Sequence, residues 1–200
     1  MITTSSREKD YIAAVAERLQ AKRILEIGAF KGQTTARLAE VARKNGGYVV
    51  VVDPMQWAST PASLGEYIDT WLHRSSYEPA FRKNTRQFSN VHLHKNLSTD
   101  IELIASTHTM LREFDLVFID GEHTEVAVRR DFETWGSRVR PGGCVLLHDV
   151  RPRFPGVLKF FEGLSANASY VTTPPKGHSV GTVDILAPVV TASARKSARA

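Results

Sequence analysis

Two short polar motifs close two apolar runs of the chain. LVFIDGEH carries Asp120 and His123, and CVLLHDV carries His148 and Asp149. Carboxylates suit a hard divalent cation, and an imidazole titrating near neutrality suits a proton acceptor. Both runs have the length and unbroken apolarity of strands buried on two faces, which is the habit of parallel sheets. The polar ends of such strands emerge together at one sheet edge, where open α/β folds bind their ligands. Two carboxylates and two imidazoles are therefore expected in one crevice.

A second constellation lies nearer the N-terminus. The run RILEIG ends in Glu26 and Gly28, and Ala29, Phe30, Lys31 and Gly32 lead into a helix that the pattern starts at Gln33. Glycines at such a turn let a ligand approach the backbone and the positive end of the helix. Their G-x-x-x-G spacing differs from the G-x-G-x-x-G that seats a pyrophosphate, which argues against NAD. Asp53 closes the next run, YVVVVDP, 21 to 25 residues after the two glycines. A carboxylate there can accept hydrogen bonds from both hydroxyls of a ribose, so a nucleoside lying across the strand ends fits both features.

The elements that must position these groups follow from periodicity. Ile12, Val15, Ala16 and Leu19 make one helical face, with Ser5 or Ser6 as its N-cap. Strand and helix then alternate: RILEIG, a helix to about Arg43, YVVVVDP, VHLHKN, a short helix from Thr99, LVFIDG, a helix holding Val128, Phe132, Trp135 and Val139, CVLLHDV, and a helix with Val157, Phe161 and Leu164. Two strands, near ASYVTT and TVDILAP, finish the pattern. This order predicts an α/β fold, a Rossmann-like, doubly wound, mostly parallel seven-stranded sheet with helices on both faces. The last two strands, with no helix between them, predict an antiparallel edge. Residues 1–188 make one domain. Within it, residues 55–90 are too long for a plain crossover and read as a lid-like insertion, in which Leu64, Ile68, Trp71 and Leu72 suggest a helix. Residues 189–200 read as a disordered basic tail.

Bulk composition narrows the classes of partner. The net charge of +5 owes three charges to Arg195, Lys196 and Arg199, so the excess elsewhere implies no nucleic acid, and no basic and aromatic strip accompanies it. No stretch is long and apolar enough to span a membrane, and the N-terminus lacks a secretory pattern. Cys144, the lone cysteine, lies within an apolar run and reads as a small buried hydrophobe in a reducing, cytoplasmic protein. His92 and His94 alternate on a strand without nearby acids and read as structural. Glu122 reads as a solvent-facing acid favoured by a helix dipole, and His73, His108 and His178 belong to no constellation. Trp57, just after Asp53, is the aromatic residue best placed to contact a ligand.

LEIGAFKGQTTARLA, VVDP, FIDGEH and LHDV together resemble the motifs of class I S-adenosylmethionine-dependent methyltransferases. The run FIDGEHTEVAVRRDFETW, followed by RPGGCVLLHDVRPRFPGVLKFFEGL, is similar to a bacterial branch with sugar and macrolide O-methyltransferases and cephalosporin-hydroxylase-like proteins. The resemblance implies that Glu26, Gly28 and Gly32 shape the methionine pocket, that Asp53 holds the ribose and that Ser98 lies near the adenine. It also implies that Asp120 borders the cofactor, that Asp120 and Asp149 hold magnesium or another divalent cation, and that His123 takes the substrate proton. Where some relatives place a second acid, this chain has His148, a ligand type that suits zinc or iron better than magnesium. The implied activity is O-methylation of a hydroxyl on a small molecule such as a sugar or other secondary metabolite, in a protein that could pair as a homodimer. A non-catalytic nucleoside-binding module and an NAD-dependent oxidoreductase are the competing readings.

Overall fold

The computed structural model describes residues 4–56, 76–100 and 109–186. Its elements in chain order are α1 (Ser6–Arg18), β1 (Arg23–Ile27), α2 (Gln33–Lys44), β2 (Tyr48–Val52), α3 (Glu78–Thr85), β3 (Val91–His94), β4 (Phe114–Ile119), α4 (Glu125–Trp135), β5 (Val139–Leu147), α5 (Pro155–Leu164), β6 (Tyr170–Thr173) and β7 (Gly181–Ile185). They form a seven-stranded sheet in the order β3-β2-β1-β4-β5-β7-β6. The pairs from β3 to β5 are parallel, and β7 runs antiparallel to both β5 and β6. The sequence expectation of a mostly parallel sheet with an antiparallel edge is met. The reversed strand is β7, which slots between β5 and β6 rather than lying outermost.

Strand side chains alternate between two faces, so each apolar run feeds two cores. Ile24, Val49, Val51, Leu116, Phe118, Cys144 and Leu146 face α1, α2 and Phe81 of α3. Leu25, Val50, Val117, Val145 and Leu147 face Phe132 and Trp135 of α4 and Val157 and Phe161 of α5. Cys144 is free and buried in the first of these layers. α1 opens with a capping box: Ser5 Oγ accepts from the Glu8 amide, and Glu8 Oε2 accepts from the Ser5 amide at 2.7 Å. Among the described residues no helix is long and apolar enough to cross a membrane.

Two boundaries differ from those the periodicity suggests. α4 ends at Trp135, and Val139, which continues its apolar face in sequence, instead begins β5. The strand thus runs through Pro141, Gly142 and Gly143, and the β4–β5 register shifts between Phe114 and Leu116 to absorb them. The inserted helix built on Leu64, Ile68, Trp71 and Leu72, and the tail from residue 189, lie outside the described residues. So does most of the short helix expected from Thr99.

At the edge of the sheet opposite the site, Asp115 ties three elements together. Its Oδ2 accepts from the amides of Lys22 and Arg23, both at 2.8 Å, and its Oδ1 accepts from Arg140 Nε at 2.6 Å. Removing this carboxylate strands two inward-facing amides, so Asp115→Ala should cost roughly 2–4 kcal/mol in urea unfolding. A loss under half a kcal/mol would show that these bonds are replaced by water at no cost.

Candidate active site

Parallel pairing of β4 with β5 sets Ile119 opposite Leu147, so the residues that follow, Asp120 and His148, leave the sheet side by side. The ladder continues one step further on each, with the Asp120 amide donating to Ile27 O at 2.8 Å and the His148 amide to Ile119 O at 3.0 Å. Asp149 then adopts a left-handed backbone, φ 58°, which turns its side chain back toward the crevice. A non-glycine residue pays about 1–2 kcal/mol for that conformation, and such strain gathers at functional sites.

The four expected groups meet at this edge. His148 Nδ1 lies 2.9 Å from Asp120 Oδ1 and 3.3 Å from Asp149 Oδ2. His123 Nε2 lies 2.9 Å from Asp149 Oδ2 and 3.9 Å from Asp120 Oδ1. On the far side of the His148 ring, Nε2 stands 3.6 Å from Glu8 Oε2. Asp149 and His148 are buried, whereas Asp120 and His123 remain partly open, so the pair nearest solvent can meet a ligand. Phe154 stacks on the His123 ring at 4.4 Å between centroids.

Charge balance explains the arrangement. Burial alone would push the His148 pKa down, but the adjoining Asp120 and Asp149 carry it up to about 10, so the free chain holds an imidazolium between two carboxylates. Burial alone would raise Asp149, yet His123 and His148 drive it well below the usual carboxylate range. The Arg151 guanidinium closes on Asp149 Oδ1 from the other side. Glu8, a buried residue of α1, is lowered to about 2: burial opposes this, but bonds from Ser179 and Ser5 outweigh it.

The donor set also fits a divalent cation. Asp120, His123 and Asp149 each offer a ligand atom, all within 4.8 Å of one another, and His148 Nδ1 stands beside two of them. His123 Nε2 and His148 Nδ1 are buried beside these carboxylate oxygens, whereas His148 Nε2 faces Glu8 on the other side of its ring. Mixed imidazole and carboxylate donors favour a transition metal over magnesium, which keeps to oxygen. A cation there would displace the His148 proton. Of the expected ligands Asp120, Asp149 and His148, the two acids group with His123 within that distance, and His148 Nδ1 lies beside both.

The glycine turn lies at the ends of β1 and β2 on the same edge. A Cβ on Gly28 would fall 2.2 Å from Asp120 O, and at φ 80° the position is closed to side chains, so only glycine lets the turn pass this close to β4. Gly32, at φ 74°, begins α2 against the Phe81 ring. Asp53 Oδ2 accepts from the amides of Ala29 at 2.7 Å and Phe30 at 3.0 Å, and its Oδ1 accepts from the Met55 amide at 2.6 Å and the Tyr77 hydroxyl at 2.8 Å. Asp53 is thus bonded to the turn it was expected to complement. Glu26 is fully buried. Its Oε2 accepts from Thr35 Oγ1 at 2.5 Å, and its Oε1 has no partner among the described residues. Burial, reinforced by the charges of Asp120 and Asp53 and only partly offset by Thr35, pushes its pKa up to about 8.

Ser98, expected near an adenine, donates to Asp131 Oδ1 at 2.5 Å and so sits against α4. His92 packs edge-on to Tyr48, a structural contact. Trp57 and Trp71 lie outside the described residues. Four residues at this edge escaped the sequence reading: Glu8, Arg151, Tyr77 and Thr4, whose Oγ1 donates to Asp120 Oδ2 at 3.3 Å. Glu8 had a signal, the Ser5-x-x-Glu8 capping box, which announces the helix start but not the contact with His148.

The chain matches the methyltransferase-domain family over residues 25–150. Its structure is similar to the O-methyltransferase TomG of Streptomyces achromogenes, involved in tomaymycin synthesis and solved with SAM (21% identity, 93% of this chain and 82% of that one, TM-score 0.67). It is also similar to an O-methyltransferase of Bacillus cereus solved with SAH (21% identity, 92% and 83%, TM-score 0.64). A methyltransferase of Podospora anserina bound to SAH shares 16% identity over 92% of this chain and 80% of its own, with a TM-score of 0.62.

The raised Glu26 pKa has a definite sign for stability. Its favourable linkage is complete below about pH 4.5 and is lost as the pH rises through about 8, because ionisation must then occur in a buried site. Glu26→Gln should therefore gain on the wild type between pH 5 and pH 9, by roughly 2–5 kcal/mol in thermal or urea unfolding. Parallel stability curves would show that Glu26 ionises freely in the folded chain.

Proposed function

Because the chain belongs to the methyltransferase-domain family, whose match spans the glycine turn, Asp53, Asp120 and Asp149, we propose that it transfers a methyl group from S-adenosylmethionine to a hydroxyl of a small molecule. The observation that carries this reading is the meeting, at one sheet edge, of the Gly28–Gly32 turn with the cluster of Asp120, His123, His148 and Asp149, brought into contact where Gly28 abuts Asp120. The O-methyltransferases of similar fold, solved with SAM or SAH, support both the donor and the class of acceptor. The family rules out the oxidoreductase reading, and the glycine spacing had already argued against it.

Gly28 and Gly32 leave room for the methionine moiety, Asp53 receives the ribose, and the unpartnered Oε1 of Glu26 accepts the cofactor ammonium, which returns Glu26 to its ionised form. The acceptor enters past Asp120 and His123, the partly open members of the cluster. Its hydroxyl oxygen attacks the sulfonium methyl carbon in line, the C–S bond breaks with its electron pair going to sulfur, and the hydroxyl proton passes to the His123 imidazole. The imidazolium so formed lies against Asp149. Alignment of the two reactants supplies up to roughly 7–11 kcal/mol of the barrier. A divalent cation held by Asp120 and Asp149, with the His148 imidazole, would lower the acceptor pKa and fix its orientation while leaving His123 to take the proton. Glu8 and Arg151 hold His148 and Asp149 in place. The buried, free Cys144 accords with a reducing cytoplasm.

The test is transfer of labelled methyl from S-adenosylmethionine to a panel of hydroxylated sugars, catechols and polyketides, with and without added Mn²⁺, Zn²⁺ or Mg²⁺. On the acceptor that responds, Asp149→Asn should lower turnover about 100-fold or more. Its affinity for S-adenosylhomocysteine should stay within about threefold of wild type. Wild-type turnover in the variant would remove Asp149 from the reaction, and failure of the native chain to bind S-adenosylhomocysteine in calorimetry would end the methyltransferase reading.

A further inference from the structure

A carboxylate offers about four acceptor positions, and all four of Asp53 are filled. Three of the donors are backbone amides, from Ala29, Phe30 and Met55. Phe30 and Met55 hold left-handed conformations, φ 49° and φ 57°, so these amides are fixed by the path of the chain and cannot withdraw without remaking both loops. The fourth donor is a side chain, the Tyr77 hydroxyl, 2.8 Å from Oδ1 and reaching across from the start of α3. Burial, with the charge and hydrogen bond of Asp53, raises the Tyr77 pKa, so the phenol stays a donor.

A ribose hydroxyl seeking Asp53 therefore finds no vacant position, and Tyr77 is the donor that rotation about two side-chain torsions can remove. The phenol has a second acceptor in reach, Gln56 O at 3.4 Å, and its ring rests edge-on against Phe30 at 5.1 Å. We propose that the Tyr77 hydroxyl is a stand-in for the cofactor ribose, occupying its place on Asp53 Oδ1 in the free chain, yielding it when cofactor binds and returning as the spent cofactor leaves. This rests on the reading of Asp53 as the ribose acceptor. The phenol keeps a buried carboxylate satisfied between turnovers, and by competing for it weakens the hold on product, which must depart each cycle.

The experiment measures binding of S-adenosylhomocysteine to the full chain by calorimetry and stopped flow, for wild type, Tyr77→Phe and Asp53→Asn. Tyr77→Phe keeps the ring against Phe30 and removes only the competing hydroxyl. It should tighten binding roughly three- to tenfold through slower dissociation, and the gain should vanish for an analogue of S-adenosylhomocysteine lacking the ribose hydroxyls. Unchanged or weaker binding in Tyr77→Phe, with thermal melting confirming a folded variant, overturns the stand-in. The ribose reading fails separately if Asp53→Asn binds as well as wild type, and an absence of binding by all three proteins overturns both.

Discussion

Two carboxylates set on neighbouring strand ends cannot both stay ionised in a buried crevice without positive charge between them. Two unit charges 4 Å apart interact by about 4 kcal/mol at the effective dielectric of a protein surface. The parallel register of β4 and β5 sets Asp120 beside His148, and the left-handed turn at Asp149 brings the second acid into that situation. Much of the local structure answers it: His148 lies between the acids, His123 and Arg151 flank Asp149, and Glu8 faces the opposite nitrogen of His148. The same groups that balance the charge are those able to hold a cation and to take a proton. Structural neutralisation and chemistry are here one arrangement.

The cofactor half of the edge is organised by a single carboxylate too. Asp53 binds the amides of the glycine turn and of its own β2 exit, so the turn is shaped before any ligand arrives. Phe30, Met55 and Asp149, all with left-handed backbones, lie on this edge, where strain would relax unless the surroundings imposed it. Gly28 joins the two halves, because its missing Cβ lets the turn rest on the Asp120 carbonyl. A preformed turn beside a charge-balanced cluster costs little reorganisation when donor and acceptor meet.

The parallel core and the location of the site were legible because they depend on local pattern. Runs such as VVVV and LVFI have no polar face, and in a parallel sheet their polar exits must share an edge. The β5 boundary was not legible, since Val139 continues the apolar stripe of Val128, Phe132 and Trp135, and Pro141, Gly142 and Gly143 resemble a turn; a register shift against β4 overrides both signals. Glu8 and Tyr77 were missed for another reason. Glu8 meets Ser179 across 171 residues and Tyr77 meets Asp53 across 24, and no spacing within the chain encodes such contacts. His123 was seen, but its pairing with Asp149 depends on the left-handed turn at Asp149, which sequence does not announce.

The most direct measurement of the central claim is a crystal structure of the chain grown with S-adenosylhomocysteine and Mn²⁺, read for ligand density and for the anomalous signal of the metal. The account predicts the ribose on Asp53, the homocysteine over Gly28 and Gly32, and the sulfur turned toward a manganese peak between Asp120 and Asp149. A nucleoside bound away from the ends of β1 and β2, or one whose sulfur points away from that cluster, would contradict it.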